Sequence, residues 1–209
     1  MENKKELVIS YLELRRIIGL LGMSLPVLVS GGAWLIFSVG LQESISAYYH
    51  TPMRDVFVGL AFFLTGFFWS YRGYSLTDRI AGKLAALFGW LFSIFPVAKV
   101  LTELSLTENL HFVFSAAFFI ILIYISGFLF TKTDPDKPPT PQKLKRNVVY
   151  RVCAVVMGLS LGAGIFLYFF SSLAPYRPLF WGETFAIEAF GLSWFVKGEG
   201  ILKDEEKAR

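Results

Sequence analysis

LHFVFSAAFFIILIYISGFLFT, residues 110–131, holds no Asp, Glu, Lys or Arg, and KTDPDKPPTPQKLKRN, residues 132–147, follows it with five basic residues and four prolines. A helix crosses roughly 30 Å of hydrocarbon with about 20 mostly apolar residues, so the first string is long enough to span a bilayer. The second reads as an extended hydrophilic connection that does not fold alone. Working outward, five further apolar runs lie at 17–41, 56–71, 80–102, 148–170 and 179–196. The run at 56–71 is short, and Met53 and Tyr71 carry it into the interfaces. The expected fold is all-α, a six-transmembrane-helix bundle.

Composition agrees with that class. Hydrophobic residues make up 55% of the 209 and charged residues only 17%, with a mean hydropathy of +0.55. Six spans leave no room for a soluble domain. The chain divides as one integral membrane domain, 1–209: an arm (1–16), helices 1–4 (17–131), a Pro/Lys-rich linker (132–147), helices 5–6 (148–197) and a tail (198–209). The single cysteine, Cys153, lies inside the fifth run, so no intrachain disulfide is expected. The first run starts after Arg15-Arg16 and has no Ala-x-Ala exit, which reads as a basic anchor and not a cleaved signal.

The basic residues fix an orientation. Of 20 Lys and Arg, 17 fall in the arm, the 2–3 connection, the 4–5 connection and the tail; only Arg54, Lys99 and Arg177 fall on the other side. Lys and Arg excess marks the cytoplasmic side, so a cell-membrane protein with both termini cytoplasmic is expected. The net charge of +4 is then the positive-inside signature and not a sign of a nucleic-acid partner. The lipid bilayer is the expected partner.

A shift of 56 residues places Trp34-Leu35 on Trp90-Leu91, Asp55 on His111 and Ala61-Phe62-Phe63 on Ala117-Phe118-Phe119. A further shift of 72 brings Glu183 onto the same position and Ala189-Phe190 onto Ala117-Phe118. Such matches are what a duplicated helical hairpin leaves behind. Duplication would turn Asp55, His111 and Glu183 toward one axis at the outer face.

The candidate site follows from polar residues at membrane depth. Ser46, His50, Arg54, Asp55, Lys99, His111 and Glu183 cluster toward the outer ends of the runs. Glu188 lies about nine residues before Lys197, roughly 14 Å above the inner boundary. A carboxylate at that depth is costly unless paired, protonated or watered, which makes Glu188 a candidate protonatable group of a binding or transport pocket. Both histidines, His50 and His111, with Asp55 and Glu183, have the ligand chemistry of a His₂-carboxylate zinc site, where a bound water would serve hydrolysis. Ala154, Gly158 and Gly162 form a small-residue stripe on helix 5, expected as a packing seam.

Ser46-x-x-x-His50 resembles the Ser…His element of the alkaline ceramidase and adiponectin receptor superfamily. That resemblance implies a seven-helix zinc hydrolase acting on lipid amides. The chain departs from it: the C-terminal His-x-x-x-His is absent, and helix 6 offers Glu183 and Glu188. Tyr49-His50 and the helix start Arg54-Asp-Val-Phe-Val-Gly59 also resemble small uncharacterised bacterial polytopic membrane proteins, a likeness that implies no activity. No Walker loop, dinucleotide fingerprint or nucleophile elbow occurs. The leading expectation is an outward-facing polar pocket that binds or moves a small molecule, ion or lipid. The alternatives are a metal-dependent hydrolase at the outer leaflet and a non-catalytic assembly or sensor subunit.

Overall fold

Polar caps, which a hydropathy reading passes over, decide where the helices start. The computed structural model describes residues 10–98, 105–133, 136 and 138–204; Lys99 and most of the expected arm lie outside them. Six α-helices run in order: α1 (Tyr11–Phe37), α2 (Arg54–Trp69), α3 (Leu76–Ile94), α4 (Leu106–Tyr124), α5 (Pro141–Phe170) and α6 (Pro178–Lys197). Four of them begin four to seven residues ahead of their apolar runs. Ser10 with Glu13 and Ser105 with Glu108 form reciprocal capping boxes, and Asp78 accepts from the Ser75 N–H at 2.8 Å. Thr140 caps α5 by accepting from the Lys143 N–H at 3.0 Å, with Pro141 at the first helical position. Residues 141–147, expected in the extended linker, are therefore the first two turns of α5.

Proline sets the opposite limit on α3. Pro96 forces Phe95 into an extended conformation (φ −76°, ψ 133°), so the helix stops at Ile94 and the run at 80–102 is not one helix. A π-turn, Ile125–Leu129, extends α4, closed by the Phe130 N–H on the Ile125 carbonyl at 2.8 Å. Three helices are long and apolar enough to cross a membrane: α1, α5, and α4 with its π-turn. No strand occurs among the described residues.

α6 lies between α1 and α5, while α2, α3 and α4 pack in chain order. Missing side chains permit the two closest approaches. A Cβ on Gly191 would stand 2.7 Å from both the Gly19 carbonyl oxygen and the Met23 nitrogen, and one on Gly182 would stand 2.6 Å from the Ser160 carbonyl oxygen. Gly164 faces Gly182 across the α5–α6 seam, whereas a Cβ on Gly162 would meet nothing within 4 Å. The close seam thus runs through Gly164 and not through the expected Gly158–Gly162 stripe. The three expected hairpins are not equivalent either: α3–α4 and α5–α6 pack closely, but α1 rests on α6 far more than on α2.

The core is aromatic and lies toward the end where α6 stops. The Trp194 indole, 2% exposed, meets the Phe68 and Phe130 rings at 5.1 Å and Tyr71 at 5.6 Å between centroids. Below it, the buried Ser126 and Ser193 hydroxyls pair at 2.8 Å. Charges close this end. Arg146 donates to Asp204 at 2.6 Å and to the Leu202 carbonyl at 2.7 Å, Arg16 donates to the Gly198 carbonyl at 2.7 Å, and Lys132 pairs with Asp78 at 3.0 Å. Partial burial pushes the Asp204 carboxyl up, but hydrogen bonds from Arg146 and Thr140 outweigh it and hold the group below the ordinary aspartate value. Large apolar side chains such as Trp34, Leu35, Ile120, Leu159 and Phe170 stand exposed around the bundle's flank.

Candidate functional site

The opposite end of the bundle is loosely filled. A cavity of about 680 Å³ opens between α4, α5, α6 and the α1–α2 connection, in which Ser46–His50 forms a short 3-10 turn. Its walls are aliphatic and aromatic, including Phe119, Ile123, Leu161 and Ile165. Its polar groups gather near the turn: Ser46, His50, Asn109 and Glu183. A smaller void of about 60 Å³ runs toward Phe68 and Phe190, and Ser46, Ser115, Phe119 and Glu183 line both spaces. Glu183 therefore stands on a partition, half-buried, between an open cavity and the apolar interior.

Two tethers hold this end in place. The Ser46 N–H donates to Glu183 Oε2 at 3.0 Å, and the Ser46 hydroxyl donates to the same oxygen at 3.3 Å. This pair fastens the turn to α6 and orients the carboxylate. His50 donates its Nε2–H to the Val97 carbonyl at 2.7 Å, which fastens the turn to the segment that follows α3. Its ring stays exposed and meets Tyr49 edge-on.

The remaining expected residues go elsewhere, each for a local reason. His111 is 1% exposed and faces α3, where its Nδ1–H is shared between the Phe92 and Phe95 carbonyls, both at 3.0 Å. These carbonyls are orphaned because Pro96 ends the helix, and a buried carbonyl needs a donor. Asp55 is exposed in the first turn of α2, where an acid complements the positive helix end. Arg54 turns away to the Tyr49 hydroxyl at 3.0 Å. Glu188 is half-buried on the stripe of exposed Trp181, Phe185 and Leu192 and does not line the cavity. Five helical residues rotate a side chain by roughly 140°, so Glu183 and Glu188 cannot face one space.

Of the expected site residues that are described, the structure brings together Ser46, His50 and Glu183, and does not add Arg54, Asp55, His111 or Glu188. The expected zinc set His50, His111, Asp55 and Glu183 is not assembled: no three His, Cys, Asp or Glu side chains among the described residues gather closely enough to hold a metal. The common axis expected for Asp55, His111 and Glu183 is absent for the same reasons. Sequence reasoning missed the α5 wall, Gly158, Leu161 and Tyr168; a tyrosine interrupting an apolar run was its only signal. Ser115 was missed as well, and its hydroxyl is already spent on the His111 carbonyl at 2.8 Å. No family model, curated protein or solved structure matches the chain.

Proposed function

We propose that the chain is a multi-pass cell-membrane protein, with six spanning helices and both termini cytoplasmic, whose cavity opens toward the outer leaflet and binds a small amphiphile. The observation that carries this reading is the pairing of an apolar cavity of about 680 Å³ with one carboxylate, Glu183, held at its polar end by Ser46. Pockets of that size bury most of a drug-sized molecule, with a few placed polar groups to orient it. Orientation rests on the 17 of 20 basic residues that flank the other end. The exposed apolar flank gives further support, because water would not favour it and lipid would.

The chemistry is recognition. Ser46 fixes the Glu183 carboxylate, so a hydroxyl, amide or ammonium head can donate to it while an alkyl or aryl body lies along α4 and α5. The shared wall with the smaller void gives a bound head a place one step deeper in the bundle.

Two experiments test the reading. In a Cys153→Ser background, Gln42→Cys should react with an impermeant thiol reagent on intact cells, and Lys203→Cys only after permeabilisation; the reverse pattern rejects the orientation. A fluorescent long-chain alkylamine should bind the purified protein, and Glu183→Gln should weaken it about tenfold, as loss of a charge-assisted hydrogen bond implies. Equal binding by both forms rejects the site.

A further inference from the structure

At the closed end of the bundle, two ammonium groups share one acceptor. Lys143 Nζ donates to the Phe130 carbonyl at 2.6 Å and Lys197 Nζ donates to the same oxygen at 3.3 Å. They therefore stand within about 6 Å of each other, a separation at which like charges repel strongly away from bulk water. Both also lie against the Tyr150 ring, at 5.4 and 5.7 Å from its centroid. The Arg15 and Arg146 guanidinium groups add to the field at Lys197. Arg15 is packed on the Tyr11 ring at 4.2 Å, and its Nε is buried with no hydrogen-bond partner among the described residues.

The acids nearby are committed elsewhere. Asp78 pairs with Lys132, while Asp204 and Glu199 pair with Arg146. Neither Lys143 nor Lys197 has a carboxylate within 4.0 Å among the described residues. The C-terminal dipole of α4 offers about half a negative charge, which leaves roughly one and a half positive charges unanswered by the two lysines. A phosphate group carries about that charge and presents several strong acceptor oxygens.

We infer that Lys143, Lys197 and Arg15 form a binding site for a phosphate group where the N-terminal turns of α1 and α5 meet the last turn of α6. The inference is independent of the cavity, which lies at the other end. Its ligand is a phosphate, carried either by an anionic lipid headgroup or free in solution. Basic pockets between helices at a membrane surface are suited to the first source.

The test uses the full-length protein in an uncharged, sugar-headed detergent. Native mass spectrometry would follow retention of phosphatidylglycerol against a glycosyl diacylglycerol, which has the same chains and no phosphate. Thermal unfolding would be followed in millimolar inorganic phosphate against chloride at matched ionic strength. Wild type should retain phosphatidylglycerol, and Lys197→Gln should lower retention about tenfold, with glycolipid unaffected. Lys143→Gln, at a half-buried position on the first turn of α5, should do the same and serves if Lys197→Gln does not fold. The exposed Lys203→Gln should leave retention unchanged. A Tm raised by phosphatidylglycerol alone assigns the site to a headgroup; one raised also by inorganic phosphate assigns it to the free anion. Two outcomes overturn the inference. One is equal retention by wild type and both lysine variants. The other is a Tm that rises in Lys197→Gln while no phosphate compound moves it in either form, the behaviour of an amine packed without charge.

Discussion

The two ends of the bundle are built on different terms. Around Trp194, side chains from α2, α4, α5 and α6 interlock, glycines bring backbones into contact, and each helix end is met by a guanidinium or ammonium group. Around Glu183, α4 and α5 stand apart over a cavity of about 680 Å³, and two hydrogen-bonded tethers position the connecting turn. Stability is concentrated where the aromatic rings meet, and room for a ligand exists where they do not. The smallest side chains serve both purposes. Gly191 and Gly182 are closed against backbone, but a Cβ on Gly158 would stand 3.8 Å from Ile123 Cδ1, at ordinary contact distance on the cavity wall.

Four substitutions or conditions would break or sharpen that contrast. Trp194→Ala removes the hub of the closed end and should cost about 4 kcal/mol, read as a loss of thermal or denaturant stability; a cost under about 1 kcal/mol would mean the core is not where the rings converge. Gly191→Ala drives a Cβ into the α1 backbone and should cost about 2–3 kcal/mol by the same measurement. Arg146→Ala uncouples α5 from the tail and should cost about 2 kcal/mol, since it strands Asp204 and Glu199. The linked pH effect has a definite sign. The Asp204 carboxyl is lowered in the fold, so its contribution is present above the ordinary aspartate value of 3.8 and is lost as pH falls through the folded one. Acid unfolding of Arg146→Ala should lack that component. Smallest in stability is Gly158→Leu, expected within about 0.5 kcal/mol of wild type. It should nevertheless fill the cavity and abolish alkylamine binding; unchanged binding would place the ligand elsewhere.

Much of this was legible in the residues. The six apolar runs mark six helices, and Pro96 and Pro141 carry the signals that shorten α3 and lengthen α5. Serine or threonine caps three residues before Glu, Asp or Lys backbone positions were equally readable, but hydropathy hides them. The site was legible only in part. Ser46, His50 and Glu183 stood out as polar residues flanking apolar helices, and they do meet at one end. His111 looked the same in the sequence and does a different job, because which way a buried imidazole points depends on where α3 stops and which carbonyls that leaves bare. Glu188 drew attention by depth alone, and depth does not state a helical face. The α5 wall carried almost no signal, since a cavity is made by side chains that fail to meet, and their absence is not written at any one position.

The π-turn at the end of α4 sets a phase. Deleting any single residue within Ile125–Leu129 would restore ordinary winding and swing everything after it by roughly 100° about the axis. The Phe130 ring would leave the Trp194 indole, and the Phe130 oxygen would leave both lysines. Length changes should therefore be forbidden in these five residues, even though the hydrophilic stretch that starts a few positions later can absorb them.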